Sequence, residues 1–254
     1  MIFFEPEKRD RALFPHDPFK GMVVPRPIGW ISSMNKAGQV NLAPYSFFNG
    51  VLSRPRIVSF CSETEKDAAA FAIESGEFAW SMATWDLRDR MNATSEGLPR
   101  GQSEFEFAGL ATAPCRLVRV PRVADSPAAM ECKVTQVVRV LDAEGRETGG
   151  VVVYGQVIGM HIDERFMKKG RFDLGAVRPI ARCGYDEYAV VEKVFAMTRP
   201  ASGGTGSSHT AIMLATATAR IGSPPERGST TARITAASAE SGPNTRMRLG
   251  PNSA

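Results

Sequence analysis

The chain has 254 residues, 43% of them hydrophobic, so it is long enough to bury a substantial core in one domain or two small ones. Its net charge of +4 is unevenly distributed, because residues 201–254 hold five arginines and two glutamates and leave only +1 on residues 1–200. A nearly neutral main part excludes the clustered lysines and arginines of a nucleic-acid-binding surface. No run approaches the roughly 20 consecutive apolar residues that cross a membrane.

The two ends of the chain differ from its middle. The first ten residues are rich in charge and lack the apolar segment of a secretory signal, so we expect a cytoplasmic location. In residues 201–254, 37 of 54 are Ala, Gly, Ser, Thr or Pro, and none is aromatic. Such a segment buries too little apolar surface to offset the entropy of ordering, so we expect a disordered low-complexity tail.

The cysteines, at positions 61, 115, 132 and 183, are far apart in the sequence and form no C-x-x-C motif. This spacing argues against a zinc ribbon or a redox dithiol and fits four reduced, mostly packed thiols. We therefore expect no metal site.

In chain order, the first predicted elements are strands. Asn35-Lys36-Ala37-Gly38 lies between two apolar stretches and contains a glycine that accepts positive φ, which predicts a hairpin joining strands near 22–33 and 39–47. Residues 57–61 follow as a third strand. Thr64 begins a helical pattern that Gly76 ends, and Thr64 with Asp67 resembles a capping box.

The predicted helix start has the chemistry of an anion site. Free backbone N–H groups point outward from a helix N-terminus, and Lys66 adds a positive charge beside them. This arrangement favours the phosphate of a cofactor. The alternative is an ordinary helix start with a solvated lysine.

The middle of the chain predicts antiparallel β-structure. Residues 130–140 alternate with a period near 2, and the turn residues 142–145 lead into a second long strand at 150–162. The sequence contains no G-x-G-x-x-G motif, no P-loop and no βαβ series, which argues against a Rossmann domain. Further strands are expected at 78–83 and 116–123, and helices at 64–75 and 85–92. The fold class is therefore mainly β, a barrel with peripheral helices.

Several separated blocks resemble the flavin reductase-like family, and they follow the family's order. They are PRPIGWISS at 25–33, GQVNLAPYSFF at 38–48, Lys66-Asp67, SGEF at 75–78, and further blocks that end at Tyr188. The resemblance covers about residues 20–200. It implies an FMN-binding split barrel, a Greek-key-like antiparallel barrel, preceded by an N-terminal arm at residues 1–19.

The resemblance also implies which residues surround the flavin. A flavin phosphate needs N–H groups, hydroxyls and a cation, and the ring needs an apolar slot with polar groups along one edge. Arg182 corresponds to an arginine near the flavin or the adjoining subunit, with a structural salt bridge as the alternative, and Ala68 replaces a threonine usual in the family. The predicted cofactor-binding residues are Ser32, Ser33, Asn41, Ala43, Pro44, Ser46, Phe47, Cys61, Ser62, Lys66, Asp67 and Arg182.

The activity implied by the resemblance is an NAD(P)H-dependent flavin reductase, with hydride transfer from the nicotinamide co-substrate to flavin N5. The flavin itself carries the chemistry, so no catalytic side chain is expected, and His161 is interpreted as a core or edge histidine. The resemblance further implies a homodimer and a flavin-dependent monooxygenase partner, without choosing between FMN and FAD. Two alternatives remain: an FMN-holding electron carrier without a nicotinamide site, and a split barrel that has lost flavin and serves as an interaction module.

Overall fold

The computed structural model describes residues 1–64, 66–198 and 200, and residues Met1–Thr198 form one compact unit. The predicted tail at 201–254 lies outside the described residues. The strands are β1 (Arg26–Pro27), β2 (Gly29–Met34), β3 (Val40–Tyr45), β4 (Phe48–Ser53), β5 (Arg56–Ser62), β6 (Glu77–Ser81), β7 (Thr112–Ala113), β8 (Arg122–Val123), β9 (Ala128–Leu141), β10 (Glu147–Ile162), β11 (Met167–Lys168), β12 (Arg171–Phe172), β13 (Ile180–Arg182) and β14 (Tyr188–Val190). The α-helices are α1 (Phe19–Met22), α2 (Asp67–Ser75), α3 (Arg88–Ala93), α4 (Glu104–Phe107) and α5 (Leu174–Val177), and 3-10 turns cover Pro6–Lys8, Trp85–Leu87 and Glu164–Phe166. Within this described part, no helix combines the length and apolar character needed to cross a membrane.

Seven strands form one antiparallel sheet in the order β3-β2-β6-β9-β10-β5-β4. Its two edge strands, β3 and β4, are consecutive in the chain and are joined only by Ser46 and Phe47. The sheet therefore curls until its edges meet at this end, where the Cys61 amide in β5 donates to the Phe47 carbonyl at 2.8 Å. The predicted mainly β class with antiparallel pairing and peripheral helices is confirmed.

Both predicted hairpins are present. β2 pairs with β3, and Gly38 in the connecting turn has φ 85°. β9 pairs with β10, and Gly145 in their turn has φ 81°. A φ in this region favours glycine, which explains why these two turns were readable from the sequence. The separate edge strand β4 was not predicted.

The helix predicted from Thr64 begins three residues later, at Asp67. The predicted capping box is wrong, because α2 has Lys66 at its N-cap position and no side-chain cap hydrogen bond. The Thr64 carbonyl instead accepts a 2.5 Å hydrogen bond from the Ser62 hydroxyl, which holds the chain in a turn before the helix. Gly76 ends the helix as predicted, with φ 73°.

Aromatic rings fill the interior of the curled sheet. Phe60 and Phe78 meet edge to face at 5.3 Å between ring centroids, and Tyr45 lies 4.9 Å from Phe60. A Cβ at Gly155 of β10 would lie 2.4 Å from the Phe78 ring, so this position needs a glycine for the ring to pack against the strand.

The predicted strand at 116–123 is wrong except at its end, where Arg122 and Val123 form β8. Side-chain carboxylates replace the ladder partners that a strand would have used. Glu131 of β9 accepts from three successive amides, those of Arg116 at 2.9 Å, Leu117 at 2.6 Å and Val118 at 3.0 Å. Glu77 of β6 accepts from the next amide, that of Arg119, at 2.9 Å. The segment is thus ordered by buried glutamates, which satisfy its donors without strand pairing.

Glu77 is 3% exposed and also accepts from the Lys133 ammonium at 2.6 Å. Burial by itself raises its pKa, but the hydrogen bonds from Lys133 and the Arg119 amide, together with both positive charges, hold the pKa below its usual value. Since the folded pKa lies below the unfolded one, the stabilisation is complete above the unfolded pKa. It is lost as the pH falls through the folded pKa.

We predict that Glu77→Gln lowers the free energy of unfolding by about 1–3 kcal/mol at neutral pH, because an amide keeps only part of these charge-assisted bonds. The difference in unfolding free energy between the variant and the native chain should shrink as the pH falls below about 4.3. Below that pH the native carboxylate is protonated first in the unfolded chain and then in the folded chain. Urea unfolding at several pH values measures this. The exposed Glu106→Gln is the control, and an equal destabilisation at pH 3 and pH 7 would contradict the assignment.

Candidate functional site

A cavity of about 660 Å³ lies at the end where the sheet edges meet. Its walls come from β3 and the following connection, from the end of β5 and the start of α2, and from the segments 94–98 and Glu104. Nine of the twelve predicted cofactor-binding residues line it: Asn41, Ala43, Pro44, Ser46, Phe47, Cys61, Ser62, Lys66 and Asp67. Residues from three separate stretches of the sequence are thus brought together.

The other three predicted residues lie elsewhere. Ser32 is fully buried in β2 and donates to the Pro121 carbonyl at 2.6 Å. Ser33 is also buried, and its hydroxyl has no hydrogen-bond partner in the described part of the chain. Arg182 lines a different cavity of about 380 Å³, where it donates to the Tyr188 hydroxyl at 2.6 Å and lies 4.6 Å from the ring.

One wall of the 660 Å³ cavity is the free edge of the sheet. β3 pairs only with β2, so its other backbone edge faces the cavity at Ala43 and Pro44. Proline has no N–H to donate and is tolerated in an edge strand for that reason. Phe47 adds an aromatic face, over which the Lys20 ammonium lies 5.5 Å and the Arg26 guanidinium 5.7 Å from the ring centroid.

The opposite wall is the start of α2. The first amides of this helix, at Asp67 and Ala68, have no backbone or side-chain acceptor among the described residues, since the helix lacks a cap. The Asp67 carboxylate does not cap them, because it pairs with Arg100 at 3.0 Å from Nε and 2.5 Å from the terminal nitrogen. Lys66 also lines the cavity and forms no ion pair with another described residue.

A buried amide and carboxylate form the floor. The Asn41 side-chain nitrogen donates to Glu104 at 2.8 Å, and the Leu42 amide donates to the other carboxylate oxygen at 3.0 Å. These bonds fix the Asn41 amide, whose oxygen is buried and has no partner in the described chain. Burial, and to a lesser extent the charge of Asp67, raise the pKa of Glu104 against the hydrogen bond from Leu42.

The cavity contains several residues that the sequence analysis did not select: Lys20, Tyr45, Glu63, Glu104 and the segment Thr94-Ser95-Glu96-Gly97-Leu98. Glu104 begins α4, which packs against β3, and residues 94–98 follow α3. For residues 94–98, the available sequence signal was a run of small and polar residues directly after a helix. For Glu104 the signal was the alternation of acidic and aromatic residues in Glu104-Phe105-Glu106-Phe107.

Two groups with acidic protons in the cavity are held in their neutral forms. Burial, and then the nearby charge of Glu63, raise the pKa of the Cys61 thiol. Burial raises the pKa of the Tyr45 hydroxyl to about 12. Neither group is therefore an anionic nucleophile or base at neutral pH.

Comparison with known proteins identifies the family. The model of the flavin reductase like domain matches residues 21–174. A protein of Halalkalibacterium halodurans is 33% identical over 185 residues, which cover 71% of this chain and 88% of that protein.

Solved structures agree on the fold. Nitrilotriacetate monooxygenase component B from Bacillus cereus superposes with a TM-score of 0.71 and 28% identity, covering 78% of this chain and 98% of the other. A Shewanella frigidimarina protein with a split barrel domain superposes with a TM-score of 0.69 at 18% identity, covering 79% of this chain and all of the other, which supports the fold alone. The predicted split barrel is confirmed, and the chain belongs to the flavin reductase-like family.

Proposed function

We propose that the protein binds FMN in the 660 Å³ cavity and reduces it with hydride from NADH or NADPH. The single observation that carries this proposal is that one cavity is lined by two polar groups without a hydrogen-bond partner among the described residues. These are the buried amide oxygen of Asn41 and the uncapped start of α2.

The residues present fit a flavin. The cavity volume of about 660 Å³ lies within the roughly 300–1,000 Å³ typical of small-molecule sites. The Asn41 oxygen is a fixed acceptor for a ring N–H, and a buried acceptor left unpaired costs about 1–3 kcal/mol. A ligand that donates a hydrogen bond to this oxygen removes that cost, and the acceptor is already oriented by Glu104. Ala43, Pro44 and Phe47 supply apolar surface for a flat ring.

The charges around the cavity fit a phosphate at the helix start. Four carboxylates line the cavity, but Glu63 pairs with Lys20 at 3.4 Å and Asp67 pairs with Arg100. Lys66 forms no ion pair with another described residue and lies beside the uncapped amides of α2. Backbone N–H groups and the helix dipole both favour a phosphate there.

A bound flavin would supply the redox chemistry, as the acceptor of hydride from the nicotinamide. The polypeptide would hold the ring and the phosphate, and the raised pKa values of Cys61 and Tyr45 keep these two groups neutral beside the flavin. Glu104 orients Asn41 by accepting from its side-chain nitrogen. Its role is positioning, because both of its oxygens are already engaged.

The proposal extends to partners. Since the Bacillus cereus relative is a monooxygenase component, we propose that this protein also supplies reduced flavin to a flavin-dependent monooxygenase.

We further propose a homodimer, because Val51 and Leu52 on the edge strand β4 are 50% and 51% exposed, and apolar sheet edges are usually covered. Sedimentation equilibrium of the purified chain measures this, and a monomer at all concentrations would reject the dimer.

We predict that the purified protein binds FMN more tightly than riboflavin and that NADH or NADPH bleaches the bound flavin under anaerobic conditions. Titrations with FMN, FAD and riboflavin measure the first, and visible absorbance after mixing measures the second. Flavin that binds but never bleaches would favour the electron carrier. Absence of flavin binding would overturn the whole proposal.

We predict that Lys66→Met lowers the affinity for FMN about 10-fold and leaves the affinity for riboflavin unchanged, because only FMN carries the phosphate. The apolar stem is kept, so packing is disturbed little. Lys36→Met, in the exposed hairpin turn, is the matched control. Equal losses for both flavins would show that Lys66 does not contact a phosphate.

A further inference from the structure

A second cavity, of about 530 Å³, lies near the ends of β9 and β10 and shares no lining residue with the first. Its wall contains Glu131 and His161, and Cys115 directly precedes the lining residue Arg116. The Cys115 sulfur, a Glu131 carboxylate oxygen and a His161 ring nitrogen all lie within 4.8 Å of one another. We infer that these three side chains form a binding site for a single divalent metal ion of the zinc type, with the fourth position open to the cavity.

The donor set matches the chemistry of zinc. Thiolate, imidazole and carboxylate are the protein ligands of Zn²⁺, at about 2.3 Å for sulfur and about 2.0–2.2 Å for nitrogen and oxygen. In the tetrahedral geometry of zinc, two such bonds hold their donor atoms about 3.3–3.7 Å apart. Donor atoms within 4.8 Å of one another thus reach a common ion after shifts of up to about one ångström, and the 2.6 Å contact between Glu131 and His161 would widen.

The antiparallel pairing of β9 and β10 brings two of the ligands together. Glu131 is opposite Gly159, and His161 follows two residues later on the same face of β10. A Cβ at Gly159 would lie 3.3 Å from the Glu131 carboxyl carbon, so the glycine leaves room for this side chain. The third ligand, Cys115, comes from the segment that the glutamates order.

The carboxylate is held ready for a metal. One Glu131 oxygen accepts from Leu117 and Val118, and the other accepts from Arg116 and lies 2.6 Å from the His161 Nε2. The backbone amides orient the carboxylate in the way that outer hydrogen bonds orient ligands in metal sites. A metal ion would take the place of the hydrogen between Glu131 and His161 Nε2 and leave all three amide bonds in place. The neutral imidazole would then carry its hydrogen on Nδ1.

The charge balance also suits a divalent ion. Thiolate and carboxylate together carry two negative charges, so the complex with a divalent cation and neutral imidazole has no net charge. Arg116 and Arg122, which line the cavity, therefore face no uncompensated positive ion. The same arginines favour water or a small anion at the open fourth position. Binding releases the thiol proton, as metal–cysteine bonding requires.

The test uses the reduced, chelator-treated full chain titrated with Co²⁺, which reports thiolate bonding through a charge-transfer absorption band, and with Zn²⁺ by calorimetry. We expect one ion per chain and the thiolate band. Outer-shell changes cost 10- to 100-fold in metal affinity, so Cys115→Ser and His161→Gln should each cost more than about 100-fold. Cys115→Ser should also abolish the band. Cys183→Ser, a free cysteine outside the cluster, should bind as the native chain does.

Two results would overturn the inference. One is the absence of stoichiometric binding and of the thiolate band in the native chain. The other is unchanged affinity in either ligand variant, provided that circular dichroism shows a folded protein. Should Cys115→Ser fail to fold, His161→Gln decides alone, and should both fail, the native titration and its band decide.

Discussion

The connection of two residues between β3 and β4 constrains the rest of the structure. Tyr45 ends one edge strand and Phe48 begins the other, so their Cα atoms are at most about 10 Å apart. Strands at opposite edges of a seven-stranded sheet meet within that distance only if the sheet curls closed at this end. The free edge of β3 and the start of α2 both line the cavity at this end. The position of the candidate flavin cavity therefore follows from how the sheet closes.

Buried glutamates accept hydrogen bonds from backbone amides that the sheet leaves unpaired. Glu104 accepts from the backbone of Leu42, Glu131 from three successive amides, and Glu77 from a fourth. A hydrogen bond to a charged group contributes about 1.5–3 kcal/mol, more than a neutral ladder bond. Irregular segments held in this way are as firmly positioned as strands. Two of the three glutamates also lie at the cavities, so the same side chains stabilise the fold and define the candidate sites.

The sequence predicted the parts that depend on local pattern. The alternation in β9, the turn glycines Gly38 and Gly145, and nine of the twenty described residues that line the 660 Å³ cavity lie in motifs that the sequence analysis identified. Ser32 and Ser33 lie in a recognisable motif but do not line the 660 Å³ cavity. They belong to β2, an inner strand whose two faces are both covered. The motif alone therefore does not tell which hydroxyl reaches a cavity. The lining residues Lys20 and Glu104 come to the site through tertiary packing. The segment 116–123 looked like a strand, because no local pattern reveals that a glutamate elsewhere will take its amides.

The ion pair between Arg100 and Asp67 at the start of α2 affects how a phosphate would bind there. The Arg100 side chain is 66% exposed and that of Asp67 is 26% exposed, so solvent screens the attraction between them. Rearranging it therefore costs little. A phosphate at the uncapped amides would draw Arg100 partly away from Asp67, and the arginine would keep an anionic partner throughout. Asp67 would remain close to the phosphate and weaken its binding, and Lys66 opposes that repulsion from the adjacent position. In the proposed complex, the balance between these two neighbours would set the affinity of this helix start for the phosphate.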